Sequence, residues 1–355
     1  WLDANQCKDC FLPSFNYRPK GSAQYMLALR NFDKDQYTDR FKFGFIGSSD
    51  VHTARPGTGY KEFARKGMTD ATGPADIGAQ ILGVPDNDPP ISFSISKIYT
   101  VDNVPKGTGL IEVERISSFF QTGGLVAVHS EGRDRDSIWR AIKKKEVYAT
   151  SGPRILLWFE LINSPSGDLI SMGSEVQMNE TPRFLIRAMG SFKQNPGCPD
   201  YSINALNSSR LKSLCKGECY NPSNQRRKIS RLEVIRIRPQ VTADEPIEIG
   251  KGKLIEDPWK IINCNYDQLG CMASFSDPDF NKQERDTVYY VRAIEESSMI
   301  INLENLRCKY NTLGECIEVN ICSGSELNTP KKDECLSRGE ERAWSSPIFV
   351  DYDRL

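Results

Sequence analysis

The spacing of apolar residues changes near residue 154, and this change constrains the fold more than any other feature of the chain. Before it, a strand, an amphipathic helix and a second strand alternate: Leu125–Val128, the stripe of Ile138, Trp139, Ala141 and Ile142 behind the candidate N-cap Asp134, and Val147–Ala149. After it, strand-length apolar segments dominate, at 155–161, 183–189, 232–238, 288–294 and 348–352. The pattern predicts an α/β plus β chain, with part of an α/β barrel over residues 1–152 and a β-sandwich-like domain over residues 153–355.

Cysteines are concentrated in the second of these parts. Nine of the eleven fall between Cys198 and Cys335, in loop-like segments, which predicts disulfides and an oxidising compartment, periplasmic or extracellular. Short loops close most easily, so the predicted pairs are Cys7 with Cys10, Cys215 with Cys219 or Cys198, and Cys264 with Cys271. Zinc binding by the closely spaced pairs near residues 7 and 215 is the alternative, although no histidine stands near either.

The charge balance and the apolar runs exclude two classes of partner. The formal net charge of the 355 residues is −1, so no general attraction to nucleic acid is expected. The longest apolar run, Ile155–Phe159, is far shorter than the roughly 20 residues that a membrane span needs. The sequence therefore predicts a globular chain of about two domains with no membrane span.

Phe41, Phe43 and Phe45 stand at alternate positions, which predicts a short buried strand. The candidate site residues of the first part follow this strand. Asp50 and His52 come next, one residue apart, and side chains two apart in an extended chain point to the same side. A carboxylate and an imidazole on one side suit a metal cluster or a proton-transfer site. The chain holds only two histidines, His52 and His129, so this pairing stands out.

The longer sequence segments around this pair and further along the chain resemble those of a bacterial family catalogued as domain of unknown function 3604. The matching stretches are Gly44–Glu62, Gly123–Val128, Ser137–Ile142, Glu146–Ile155 and Glu341–Ile348. That family is similar to the PHP (polymerase and histidinol phosphatase) metal-dependent hydrolases, and the resemblance covers its C-terminal part. It implies the C-terminal part of a PHP-like α/β barrel, in which Asp50 and His52 are metal ligands and divalent ions, Zn, Mn or Fe, number two or three.

Other candidate site residues lie near predicted strand ends. His129 and Glu131 follow the apolar run Leu125–Val128 and are candidates for contact with metal or substrate, although His129 also suits a satisfied core position. Arg154 follows Gly152-Pro153, and Arg55 follows His52, so either guanidinium could hold an anion; an inter-domain salt bridge is the alternative for Arg154.

The resemblance implies phosphoester hydrolysis by metal-activated water on a small anionic substrate. PHP-type sites begin with a His-x-His motif, which this chain lacks, and two histidines are few for such a cluster. We therefore expect a second polypeptide that carries the N-terminal part of the barrel. The alternative function is a secreted, disulfide-braced binding or scaffold protein with a degenerate metal site.

Overall fold

The computed structural model describes residues 22–33, 40–48, 124–215, 220–265, 270–301, 309–318 and 336–354. The chain divides into two compact units. The larger unit comprises Ala23–Ser49, Gly123–Ser297 and Glu340–Leu355, and the smaller unit comprises Trp1–Ser22, Asp50–Thr122 and Ser298–Gly339.

Helices are short in the described residues. They are α1 (Ala23–Ala28), α2 (Arg135–Lys143), α3 (Asp200–Ala205), α4 (Ser208–Cys215) and α5 (Pro278–Gln283). The N-cap predicted for α2 is confirmed, because the Asp134 side chain accepts a 2.9 Å hydrogen bond from the backbone N–H of Ser137.

An eight-stranded sheet forms one layer of the larger unit. Its strands are β1 (Leu125–Val128), β2 (Val147–Thr150), β5 (Glu175–Met178), β9 (Ile229–Ile237), β10 (Ile255–Asn263), β12 (Thr287–Glu295), β17 (Arg342–Ser345) and β18 (Ile348–Tyr352). The central strand β12 pairs with β9 on one side and with β17 and β18, end to end, on the other. Beyond β9 lies β10, and beyond β17 lie β2 and then β1. β5 pairs with β18 in parallel.

A four-stranded antiparallel sheet forms the second layer. Its order is β11 (Gly270–Ser276), β6 (Arg183–Met189), β3 (Leu156–Leu161) and β4 (Ile170–Ser171). β7 (Phe192–Pro196) and β8 (Tyr220–Arg226) form a separate hairpin that continues from β6. The apolar segments predicted after residue 154 therefore correspond to individual strands of these two sheets.

The two sheets face each other across one core. From the four-stranded sheet, side chains at alternate positions of β3, β6 and β11 enter it, including Phe159, Phe184 and Phe275. From the eight-stranded sheet, alternate positions of β9 and β12 enter it, including Leu232 and Tyr289. The stacked rings of Phe184 and Phe275, 4.9 Å apart, lie in this core.

The opposite face of the eight-stranded sheet is also buried. Leu27 and Ala28 of α1 pack there with Ile235, Ile237, Val288, Tyr290 and Phe349, and Phe43 and Phe45 pack against the same group. The segment around Phe45 is fixed to β17–β18 by a 2.9 Å hydrogen bond from its backbone N–H to Ser346 Oγ. A third layer of α1 and residues 41–48 thus covers this face.

The described part of the smaller unit is formed by two hairpins. β13 (Ser298–Ile301) pairs with β16 (Leu336–Gly339), and β14 (Lys309–Tyr310) pairs with β15 (Cys316–Glu318).

The predicted α/β fold with a PHP-like barrel is wrong. Of the described residues, 43% lie in strands and 16% in helices, and these residues contain no closed barrel. A barrel needs parallel strands joined by helices, whereas β1 and β2, on either side of α2, pair directly and antiparallel. β2 then pairs with β17, so one sheet takes strands from both sides of the boundary predicted at residues 152/153; that domain division stays a prediction.

Two further predictions have clear outcomes. The strand predicted from Phe41, Phe43 and Phe45 is wrong, since residues 41–48 form no strand. Phe43 and Phe45 nevertheless pack on the outer face of the eight-stranded sheet. The Cys264–Cys271 disulfide is confirmed, and Cys198 is also disulfide-bonded. Within the part of the chain that the structure describes, no helix is long and apolar enough to cross a membrane.

Candidate functional site

Three of the predicted site residues, Asp50, His52 and Arg55, lie outside the described residues, and their roles stay predictions. The chain can be followed as far as Ser48. A Cβ added to Gly124 would lie 3.1 Å from the backbone N and O of Ser48 and 3.2 Å from the carbonyl of Thr150. Ser48 therefore lies where β1 begins and β2 ends, and Gly124 permits this close approach.

His129 follows the other end of β1. Its backbone N–H donates to the carbonyl of Glu146 over 2.9 Å, and its ring Nε2 lies 2.9 Å from the carbonyl oxygen of Leu157. A carbonyl oxygen only accepts, so Nε2 must carry the proton. In the neutral ring the lone pair is then on Nδ1, which makes no hydrogen bond within the described residues. The imidazole is held in one orientation and keeps one nitrogen for another partner.

Aromatic rings fix the plane of this imidazole. Its centroid lies 5.4 Å from that of Tyr148 and 5.8 Å from that of Trp158, and both ring pairs are tilted by less than 40°. The Tyr148 hydroxyl donates to the carbonyl of Ile155 over 2.9 Å, and burial raises the pKa of Tyr148 to about 12. Tyr148 is therefore a neutral packing partner, and the half-buried His129 has little freedom to turn.

Glu131 lies in the bend that leads to α2. Its side chain is exposed, and within the described residues no hydrogen bond or ion pair holds its carboxylate. The neighbouring bend is ordered by Ser130, whose Oγ donates to the carbonyl of Gly132 over 2.7 Å. Donation from Ser137 to Asp134 lowers the pKa of that carboxyl and uses it as a helix cap. The local structure thus brings His129 together with aromatic rings and not with Glu131.

Arg154 stands on the surface after the turn that ends β2. The turn is held by Ser151, whose Oγ donates to Glu341 Oε2 over 2.5 Å and accepts from the backbone N–H of Arg342 over 2.9 Å. Arg154 itself is exposed, and the described residues give it no ion pair. Because β1 and β2 are antiparallel and four residues long, roughly 13 Å, the turn before Arg154 and His129 lie at opposite ends of the pair.

Sequence reasoning missed a charged group beside His129. The Arg187 guanidinium lies 5.6 Å from the indole centroid of Trp158, and its Nη2 donates to both carboxylate oxygens of Glu160, over 2.9 and 3.0 Å. Strand alternation could have placed Trp158 and Glu160 on one face, because they are two residues apart in β3. Their proximity to Arg187 depends on the β3–β6 register, which pairs Trp158 with Arg187.

The described residues provide few donors for a metal ion. No group of three or more His, Cys, Asp and Glu side chains in the described ranges could hold one. His129 offers a single nitrogen, Nδ1, of a type that Zn, Mn and Fe accept. Any complete metal site would therefore need donors beyond the described ranges.

Comparisons with known proteins give one family. Residues 29–196 match the family described as "Protein of unknown function (DUF3604)". No curated protein and no solved structure matches the chain.

Proposed function

We propose, from the match of residues 29–196 to this family of unknown function, that the chain is a metal-dependent hydrolase of phosphoester-type, anionic ester substrates. The observation that carries the proposal is the state of His129. Its Nε2–H is tied to the carbonyl of Leu157 and its ring lies between Tyr148 and Trp158, so that Nδ1 is the free nitrogen. Histidines that bind metals or transfer protons are commonly oriented by such a bond to a backbone carbonyl.

Asp50 and His52 are the proposed metal ligands, on the sequence argument given above. A carboxylate and an imidazole fit Zn, Mn or Fe, and the similarity to PHP hydrolases suggests two or three ions. When bound, such ions supply Lewis acidity toward water and an ester oxygen. His129 and Glu131 are proposed as further contacts with metal or substrate, His129 through Nδ1; they follow the end of β1 opposite to Ser48, so a shared substrate would have to extend along β1.

The remaining roles belong to basic groups. Where Nδ1 of a neutral His129 faces substrate and not a metal ion, it can accept a proton and return it, and its fixed ring plane keeps that lone pair in one direction. Arg154 is exposed and without an ion pair in the described residues, so its guanidinium fork is available to an anionic oxygen. Arg55 is proposed for the same role.

The test uses two variants and two measurements. We expect His52→Ala to lower the bound metal, measured by mass spectrometry of the purified protein, by about tenfold or more. His129→Phe keeps a ring between Tyr148 and Trp158 but removes both nitrogens, so the rate of 4-nitrophenyl phosphate hydrolysis should fall about 100-fold. Near-UV circular dichroism should show that both variants keep the native fold.

Asp168→Asn is the matched control, because Asp168 is an exposed carboxylate in the loop between β3 and β4. It should change neither metal content nor rate. Native protein that carries no metal and hydrolyses no phosphoester would refute the proposal, and full metal content in His52→Ala would remove His52 from the ligands.

We also propose a second polypeptide as a partner. β1 is an edge strand in the described sheet, although Leu125–Val128 is apolar throughout and Val126 is 51% exposed. On the adjacent α2, Trp139 and Ile142 are 57% and 44% exposed. An apolar strand and helix of another chain would remove this surface from water. Native mass spectrometry should find a different chain bound; a single chain with no partner would contradict the expectation.

A disulfide-braced binding or scaffold protein is the second candidate function. It is favoured by the absence of a three-ligand group in the described residues and by the Cys264–Cys271 bond, which links the residue after β10 to β11. Both candidates are compatible with the proposed periplasmic or secreted location, because disulfides persist in oxidising compartments.

A further inference from the structure

The outward side of the four-stranded sheet carries a charged group, Arg187, to which the proposed hydrolase gives no role. Alternate residues of β3, β6 and β11 point away from the core. We call this surface the open face; it is formed by Trp158, Glu160, Leu185, Arg187, Met189 and Met272. Met272 is 71% exposed, and Trp158 is half-buried.

A small cavity of about 240 Å³ opens on this face. Trp158, Arg187, Met189 and Met272 line it, with the main chain of Ala188 and the disulfide-bonded Cys271. Gly270 belongs to its wall, and a Cβ there would lie 2.9 Å from the carbonyl of Ala188, so a larger residue would push the strands apart. The volume is below the roughly 300–1,000 Å³ of drug-sized pockets, which limits the ligand to a small molecule.

Arg187 is the one charged group of the cavity, and it is only partly engaged. Nη2 makes both hydrogen bonds to Glu160, whose side chain is 10% exposed. Nε and Nη1 donate to no acceptor within the described residues, and the Arg187 side chain is 45% exposed. Glu160 and the Trp158 ring thus hold the guanidinium in place while its other edge stays open.

The rest of the lining is apolar and adaptable. Two of the seven methionines of the chain, Met189 and Met272, stand here, and the unbranched thioether adjusts to ligands of different shape. An apolar wall with one fixed guanidinium edge selects a ligand with an apolar body and one planar, two-oxygen head.

We infer that this cavity binds a small carboxylate with an apolar body, with the carboxylate on Nε and Nη1 of Arg187 and the body against Trp158 and Met272. The carboxylate makes a forked pair that an amide or alcohol cannot match in charge. The site lies on the open face and uses neither Asp50 nor His52, so it can be present or absent independently of the proposed hydrolase.

Benzoate and its neutral analogue benzamide are the probes. The full chain is titrated with each by calorimetry in the presence of a chelator, so that no metal ion can bind the carboxylate. We expect benzoate to bind about tenfold more tightly than benzamide, a preference set by the charge-assisted fork. Arg187→Gln should raise the Kd of benzoate by about tenfold and leave that of benzamide nearly unchanged.

Arg183→Gln is the matched control, because Arg183 is exposed on the same face of β6 and does not line the cavity. It should leave both Kd values unchanged. Equal affinities for benzoate and benzamide, or no loss in Arg187→Gln, would overturn the inference. An equal loss in Arg183→Gln would also overturn it, since general surface charge would then explain the binding.

Discussion

The two sheets of the larger unit differ in what lies on their outer faces. The outer face of the eight-stranded sheet, here the covered face, presents Ile235, Ile237, Val288, Tyr290 and Phe349, none more than 3% exposed. α1 and residues 41–48 cover it. The open face of the four-stranded sheet leaves Met272 71% exposed and places a cavity beside Trp158. One face contributes stability, whereas the other has groups available for a ligand.

Each face has an arginine paired with acidic side chains, and the two arginines differ in how deeply they are buried. On the covered face, Arg292 Nε lies 2.8 Å from Glu233 Oε2, and its Nη groups bond both oxygens of Asp257, which also accepts from Gln24. Burial lowers the pKa of Arg292, but Tyr290, Asp257 and Glu233 together hold it above its ordinary value. On the open face, Arg187 has one acidic partner and spare donors. The arginine–carboxylate pairing on the covered face thus stabilises the fold, whereas the pairing on the open face leaves donors that can bind a ligand.

The largest expected effect comes from removing these two arginines in turn. Arg292→Ala leaves Asp257, whose side chain is 2% exposed, without its cation, and leaves Glu233, at 9%, with Arg231 as its remaining cation. A buried charge that loses its partner costs about 3–5 kcal/mol of unfolding free energy. Arg187→Ala removes a cation that is 45% exposed from Glu160, whose side chain is 10% exposed, so water can partly replace it and we expect a smaller loss, about 1–3 kcal/mol.

Urea unfolding followed by circular dichroism measures both. Similar losses of unfolding free energy in the two variants would contradict the difference between the faces, because the ion pairs of both faces would then contribute equally to stability. A change in the slope of unfolding free energy with urea would instead indicate an altered unfolded state and would require calorimetry of both variants.

Local patterns in the sequence predicted much of this architecture. Strand-length apolar segments anticipated β3, β6, β9, β12 and β18, and Asp134 with the following apolar stripe anticipated α2. The Cys264–Cys271 disulfide was predicted because a short loop closes at small entropic cost. These features depend on neighbours in sequence, which a single chain displays directly.

Long-range pairing was not accessible in the same way. The strand, helix and strand around α2 have the same apolar pattern whether the strands are parallel or antiparallel, so the barrel was inferred and is wrong. Likewise, the aromatic alternation of Phe43 and Phe45 suits a strand, yet these rings act as part of a cover over β9 and β12. Periodicity indicates which side chains are buried, but not which strand lies beside them.

The candidate site shows the same division. The position of His129 at the end of a strand was predicted, but that strand is an edge strand and is not buried. The partners of His129, which are Leu157, Tyr148 and Trp158, come from β2 and β3. The opposite placement of His129 and the turn before Arg154 follows from the antiparallel register, which the sequence does not display. The cavity beside Arg187 needs three strands in register and carries no motif of its own.

The smallest expected effect concerns Glu295, where the two sheets are joined. It ends β12 of the eight-stranded sheet, and its Oε1 accepts a 2.6 Å hydrogen bond from the backbone N–H of Ser191, just after β6 of the four-stranded sheet. The side chain is fully buried, and among the described residues Oε2 has no hydrogen-bond partner, with Arg227 Nε at 4.0 Å. Burial raises the pKa of Glu295 above its ordinary value of 4.5, despite the bond from Ser191 and the charge of Arg227.

A raised carboxyl pKa means that the folded state holds the proton more tightly than the unfolded state. The contribution of Glu295 to stability is therefore fully present below pH 4.5 and is lost as the pH rises through its folded pKa. Glu295→Gln keeps an oxygen for Ser191 and does not ionise. Relative to the native chain, this variant should gain stability between pH 4 and pH 8, by about 1 kcal/mol, the scale of one hydrogen bond. Thermal unfolding of both proteins across this range measures the difference, in which the titration of all other groups cancels. A difference that stays constant with pH would show that the carboxyl titrates alike in both states and that burial between the two sheets does not disfavour its charged form.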